Sequence, residues 1–110
     1  MRVPLILSWP ARLQAGLRSQ ALVELTDLAP TLLEAAGLPP PHSMQGRSLL
    51  PLLTGEAPSD HHRDFVRSEY YDAVDMRDNT HATMYRDDRY KLIVYHGHGQ
   101  GELYLSLIHI

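Results

Sequence analysis

The sequence predicts a partial α/β architecture: one strand buried on both faces, a helix that covers it, and a small antiparallel sheet built around a hairpin at 81–95. Three observations predict it. Leu5-Ile6-Leu7 is an apolar run without alternation, as suits a strand covered on both sides. Asp27 through Gly37 carries the start and stop signals of a helix. From Phe65 onward the pattern alternates and is rich in aromatic and β-branched residues, which fits half-buried strands.

The first strand spans 3–8 and ends at Trp9-Pro10, because proline cannot donate to a ladder. Residues 11–18 are mixed, contain Gly16 and read as a surface loop. In the helix that follows, Asp27 is the expected N-cap. Pro30 then falls at the third helical position, where an N–H has no intrahelical acceptor in any case. Gly37 supplies a left-handed exit, and Pro39-Pro40-Pro41 forbid continuation. Leu28, Leu32, Ala35 and Ala36 share one face, spaced to pack on a sheet.

A second, shorter helix is expected over 47–53, with Ser48 as cap and Gly55 as exit. The polar run 56–64 is the clearest loop in the chain and separates two layers. Strands are expected at 65–71, 81–85 and 90–95, the last two joined through Arg86-Asp87-Asp88-Arg89. A turn at 97–101 leads to Glu102-Leu103-Tyr104, one more antiparallel strand. The organisation expected is therefore 1–58 as the end of an α/β core, 59–104 as a small antiparallel subdomain and 105–110 as a tail.

Composition excludes several functions. The 110 residues, 44% hydrophobic and 21% charged, suffice for one small domain, in which roughly 60 to 68% of the unfolded surface would be buried. That leaves a thin stability margin without a neighbouring surface. The net charge is −3 with acids and bases interspersed, so no basic stripe tracks a phosphate backbone and nucleic acid is not an expected partner. There is no cysteine, which excludes disulfides and thiolate metal sites. No apolar run approaches the ~20 residues of a membrane helix, and Met1 stands directly against the first strand, so the chain reads as cut from something longer.

Three blocks in order carry a resemblance. They are Val3-Pro4-Leu5-Ile6-Leu7-Ser8-Trp9-Pro10; Asp27-Leu28-Ala29-Pro30-Thr31-Leu32-Leu33-Glu34-Ala35-Ala36-Gly37-Leu38-Pro39 followed by Gln45-Gly46-Arg47-Ser48-Leu49-Leu50-Pro51-Leu52-Leu53; and Tyr90-Lys91-Leu92-Ile93 running into Gly101-Glu102-Leu103-Tyr104. Together they resemble the C-terminal third of bacterial sulfatases of the arylsulfatase type, in the alkaline-phosphatase-like superfamily. The resemblance implies that 3–8 is the last strand of an α/β/α sandwich, that the Asp27 helix covers it and that 65–104 forms the small C-terminal sheet. It further implies a sulfuric-ester hydrolase whose parent uses calcium and a formylglycine, both upstream, with a sulfate ester as substrate. The missing N-terminal catalytic portion is then the partner of this chain, which is expected to be inactive alone and to hold no cofactor.

Ser8-Trp9-Pro10-Ala11-Arg12 formally matches the Ser-x-Pro-x-Arg pattern of the family's nucleophile. The family pattern continues to Leu-Thr-Gly, whereas Gly16-Leu17-Arg18 stands here, so the segment is read as a structural Trp-Pro turn and no catalytic residue is assigned. His96-x-His98 places two imidazoles on one side of a strand, but without a third ligand the plainer reading is a solvated turn, and no metal ligand is assigned. His61-His62 are adjacent and rarely face one ion. Asp87-Asp88 between two arginines read as a solvated hairpin tip.

His81 with Arg77 is the pair selected for substrate binding, since donors at the entry of a strand can reach an anionic sulfate or its leaving group. The six tyrosines read as cross-strand packing rather than a carbohydrate platform. The near alternative is a phosphodiesterase or phosphonate-ester hydrolase of the same superfamily. The alternative from another class is a non-enzymatic α+β binding module, which a cooperative, high thermal transition of the isolated chain would favour. After Tyr104 the family continues with an acidic residue and an Asp-Pro turn, whereas Leu105-Ser106-Leu107-Ile108-His109-Ile110 stands here; it resembles a translated vector junction and is expected to be non-native.

Overall fold

The computed structural model describes residues 3–72 and 80–105. They fall into two compact units: Met1–Ala21 with Leu25–His62, and Leu22–Glu24 with Arg63–Ile110. No helix among the described residues is long and apolar enough to cross a membrane.

In the first unit, the expected strand at 3–8 is not formed: these residues have no strand assignment, and Ile6 is 89% exposed. The physical reason is that a strand exists only through a neighbour's backbone, and the described residues of this unit include no other strand. A turn nevertheless follows at Pro10–Arg12. The Trp9 carbonyl accepts N–H bonds from Arg12 and Leu13 at 2.9 Å, and the Arg12 guanidinium lies 5.3 Å from the Trp9 ring centroid. This is the structural turn expected of the Ser8–Arg12 segment.

A 3-10 turn, Leu25–Asp27, leads into helix α1, Leu28–Ala35. Its exit is the one expected. Gly37 has φ +77°, Gly37 N–H donates to Glu34 O at 3.0 Å and Leu38 N–H to Leu33 O at 2.9 Å, the paired bonds of a Schellman motif. Its entry differs. Asp27 stands at the N-cap position without a side-chain cap bond; instead its Oδ1 accepts the Arg47 N–H at 2.8 Å, and Oδ2 lies 3.4 Å from His62 Nε2. The carboxylate reaches a distant loop in preference to its own helix.

The buried side of α1 also differs from the apolar stripe. Pro30 and Thr31 are its buried residues, whereas Leu32 is 65% exposed. Thr31 Oγ1 donates to Asp27 O at 2.6 Å and accepts the Leu49 N–H at 2.8 Å, so this face meets the chain around α2, Leu50–Thr54, while the leucine stripe has no sheet of this unit to cover. Leu49 stands at the N-cap position of α2, with Pro51 in its first turn, and Ser48 Oγ accepts the Leu50 N–H at 3.2 Å. Leu49 and Leu52 are the buried hydrophobic residues. The approach is tight: a Cβ at Gly46 would lie 2.0 Å from the Thr26 carbonyl oxygen.

The second unit is a four-stranded antiparallel meander: β1 (Val66–Tyr71), β2 (His81–Arg86), β3 (Tyr90–Tyr95) and β4 (Gln100–Leu105), in that order. The register sets Tyr70 against Ala82, Met84 against Ile93 and Leu92 against Leu103. Alternation therefore gives one half-buried face with Val66, Tyr70, Met84, Ile93 and Tyr95, and an opposite, more exposed face with Tyr71, Tyr85, Leu92 and Leu103. The tyrosines divide between the two faces rather than forming one platform. Arg63 Nη1 pairs with Glu24 Oε2 at 2.8 Å, and Arg67 N–H donates to Glu24 Oε1 at 2.6 Å, which fixes the short 22–24 segment beside β1.

The β2–β3 turn is built by Asp87, whose Oδ1 accepts N–H bonds from Arg89 at 2.7 Å and Tyr90 at 2.6 Å. These bonds, Tyr90's first, hold its carboxyl below the usual carboxylate range. The Tyr104 hydroxyl donates to Glu102, and that bond raises its pKa above the ordinary phenol value. Leu105, expected as the first residue of a foreign tail, closes β4 opposite Tyr90; the rest of that tail lies outside the described residues.

Candidate functional site

The register that sets Met84 against Ile93 also carries the ladder one residue past the end of β3, so His96 faces His81, and the His96 N–H donates to the His81 carbonyl at 2.8 Å. On its other side His81 faces Tyr71. The two rings are stacked, with centroids 4.2 Å apart and planes 22° apart. One end of the sheet thus gathers the last residue of β1, the first of β2 and the residue after β3.

Two side-chain contacts orient the imidazoles. His81 Nε2 lies 3.3 Å from Asp72 Oδ2, with His81 38% and Asp72 44% exposed at the side chain. His96 Nε2 lies 2.7 Å from Thr83 Oγ1, two residues along β2 from His81 and therefore on the same face. Asp72 has φ +37°, a left-handed conformation that non-glycine residues take rarely and aspartate takes more readily than most. Its carboxylate is carried to the ring of His81 by that backbone bend.

Of the sequence-selected pair, His81 stands at the entry of β2 as expected, and Arg77 lies outside the described residues. Tyr71, Asp72, Thr83 and His96 were not selected as partners of His81. The signal for His96 is its register: once the hairpin is closed at Asp87, pairing alone opposes it to His81. His98 stands in the turn beyond, and among the described residues no group of three His, Cys, Asp or Glu side chains is placed to hold a metal ion. His61 is exposed while His62 turns inward to Asp27, so these adjacent residues do not face one point.

Asp27, 0% exposed, has the burial of a catalytic carboxylate but the partners of a tether, bonded to a backbone amide of the Gly46-Arg47 loop. The chemistry available is concentrated at the His81 end of the sheet: imidazoles, a hydroxyl, a carboxylate and an aromatic ring, all reachable from solvent. This set can bind and orient a polar ligand.

The family model for N-sulphoglucosamine sulphohydrolase, C-terminal, matches residues 1–106. Arylsulfatase K of Rattus norvegicus is 34% identical over 98 residues, which is 84% of this chain and 17% of that protein. Among solved structures, a protein in complex with its substrate D-glucosamine-2-N,6-O-disulfate superposes with a TM-score of 0.77 at 27% identity, over 91% of this chain and 21% of the other. A phosphonate monoester hydrolase from Silicibacter pomeroyi superposes with a TM-score of 0.59 at 31% identity, over 74% of this chain and 18% of the other. The chain spans about a fifth of the length of these relatives.

Proposed function

The chain belongs to the N-sulphoglucosamine sulphohydrolase C-terminal family, and from that membership we propose that it is the C-terminal portion of a longer sulfuric-ester hydrolase. The observation that carries this reading is the family match along residues 1–106. The exposed apolar residues of 3–7 and of α1 support it: Val3 is 62%, Ile6 89% and Leu32 65% exposed, which is the surface a covering helix and a last strand present when the sheet they complete belongs to the rest of the protein.

In this reading the formylglycine and its calcium belong to that other portion. A hard cation of this kind takes several oxygen ligands and offsets charge on the sulfuryl oxygens. Among the described residues of this chain no group of three His, Cys, Asp or Glu side chains forms such a cage, so no step is routed here through the cation. What this chain contributes is position. The last strand and its helix close the large sheet, and the small sheet brings His81 to the rim of the substrate cleft, where its imidazole donates to the ester's leaving group or to a sulfuryl oxygen. Arg77 is proposed to share that role.

The test is expression of the longer reading frame that contains this sequence. It should release sulfate from 4-nitrophenyl sulfate, while the 110-residue chain alone should not, and His81→Ala in the longer protein should lower kcat/KM roughly tenfold, the scale of one hydrogen bond to a charged group. Unchanged kinetics in that variant would remove His81 from the cleft. Hydrolysis of a phosphonate monoester in preference to the sulfate ester would favour the second reading, which the likeness to the Silicibacter pomeroyi enzyme supports.

A further inference from the structure

We propose that Asp27 and His62 form a proton-operated latch on the strap of residues 59–62, closed when the imidazole carries its second proton and slackened when it is neutral. All of its parts belong to the first unit, of which His62 is the last residue. The latch is independent of the sulfuric-ester reading.

The strap is tied at both ends. At its start the Ser19 hydroxyl donates to the Ser59 carbonyl, and the Gln20 N–H donates to Asp60 Oδ1 at 3.0 Å. At its end the His62 carbonyl accepts from Arg47 Nη1 at 3.4 Å, and His62 Nε2 lies 3.4 Å from Asp27 Oδ2. The ties at the start are exposed, whereas the His62 side chain is 8% and the Asp27 side chain 0% exposed. Salt and water screen a buried charge pair far less than an exposed one, so the inner tie is the one whose strength follows the charge on the ring.

The separation decides what kind of tie it is. At 3.4 Å the contact is longer than the ~2.9 Å of an ordinary N–H···O bond. A neutral imidazole therefore gains little there, while an imidazolium faces a full opposite charge in a place poor in water. Burial alone favours the neutral ring, but a neutral ring leaves the buried carboxylate with a weaker partner. Other charges surround the pair. The Arg47 guanidinium reaches the His62 carbonyl rather than its ring. On the strap Asp60 is engaged by Gln20, and His61 is exposed; Arg63, next in sequence, pairs with Glu24 at 2.8 Å. Asp27 is the charge that the ring nitrogen meets, and it sets the sign. A histidine that meets a carboxylate only on folding holds its proton more tightly in the folded protein. The tie is then fully present below the ordinary histidine value of about 6.5 and is lost as pH rises through the higher folded value.

The test uses the longer protein that contains this sequence, in a His61→Gln background so that the strap holds one imidazole. Hydrogen exchange at the histidine C2 position, read by mass spectrometry from about pH 5 to about pH 9, reports the protonation of His62. Its midpoint is expected above the ordinary value of about 6.5, and is expected to fall when Asp27→Asn removes the facing charge. Amide exchange over 59–62 should quicken roughly three- to tenfold between about pH 6 and about pH 8.5 relative to His62→Gln, which keeps an N–H for Asp27 and does not titrate. A midpoint at or below the ordinary histidine value, one that Asp27→Asn leaves in place, or an amide response matched by His62→Gln would overturn the latch. The two midpoint readings need no substitution at His62, so they decide the matter even where that variant fails to fold.

Discussion

Asp27 is fully buried, a costly placement for a carboxylate unless each oxygen is engaged. One oxygen takes the Arg47 N–H and the other faces His62, while Thr31 passes a second bond chain from Leu49 N–H to the Asp27 carbonyl. Asp27→Ala leaves the half-buried Arg47 amide without its acceptor and should cost about 1 kcal/mol by urea denaturation, with Asp27→Asn milder because its carbonyl oxygen still accepts. Gly46→Ala should be at least as damaging. Its Cβ would strike the Thr26 backbone at 2.0 Å, and backbone that cannot give way makes this an overpacking defect of about 1–3 kcal/mol. The sequence marks Asp27 as a helix start and says nothing of its loop, because a short acid before a helix serves the helix N–H groups and a tertiary partner equally well. Gly46 carries no local cue to the 2.0 Å approach, since nothing in its own neighbourhood specifies what will pack on it.

At the scale of elements, α1 and the hairpin were legible because their signals are local. Gly37 and the prolines after it end α1 where expected, and Asp87 closes the β2–β3 turn with two backbone bonds. The strand at 3–8 was not realised because its signal, an apolar run, describes burial by neighbours rather than any interaction within the run. Gly37→Ala forces alanine to φ +77° and should cost about 1–2 kcal/mol, read as a lower urea midpoint. The Asp87 turn should respond to acid. Its folded-state pKa lies below the ordinary value, so its contribution is present above the unfolded carboxylate pKa of about 4 and is lost as pH falls through the lowered folded value. Amide exchange in β2 and β3 should therefore quicken on that acid side, and Asp87→Asn should abolish the pH dependence without moving the neutral-pH register.

At the scale of the molecule, the buried apolar side chains among the described residues are few, Leu49 and Leu52, while Val3, Ile6, Leu25, Leu32 and Leu103 are more than half exposed. Hydrophobic burial supplies most of the drive to fold, so the isolated chain should melt at low temperature with a broad transition and bind a dye such as ANS, as chains do that lack fixed packing. A sharp transition without dye binding would instead mean that these surfaces need no partner. The family could be read in the chain because its three blocks recur in order. The sheet-end cluster could not, because Tyr71, Asp72 and His96 meet His81 only through strand pairing.

The segment from Leu38 to Gln45 is moored at each mouth, by the Schellman bonds around Gly37 on one side and by the Asp27 bond to Arg47 on the other. Its length is thereby uncoupled from the elements it joins. Lengthening it adds chiefly closure entropy, about 0.6 kcal/mol per doubling, so an epitope or fluorophore-bearing peptide inserted after His42 should be accommodated, making this bend a natural port for labelling the protein.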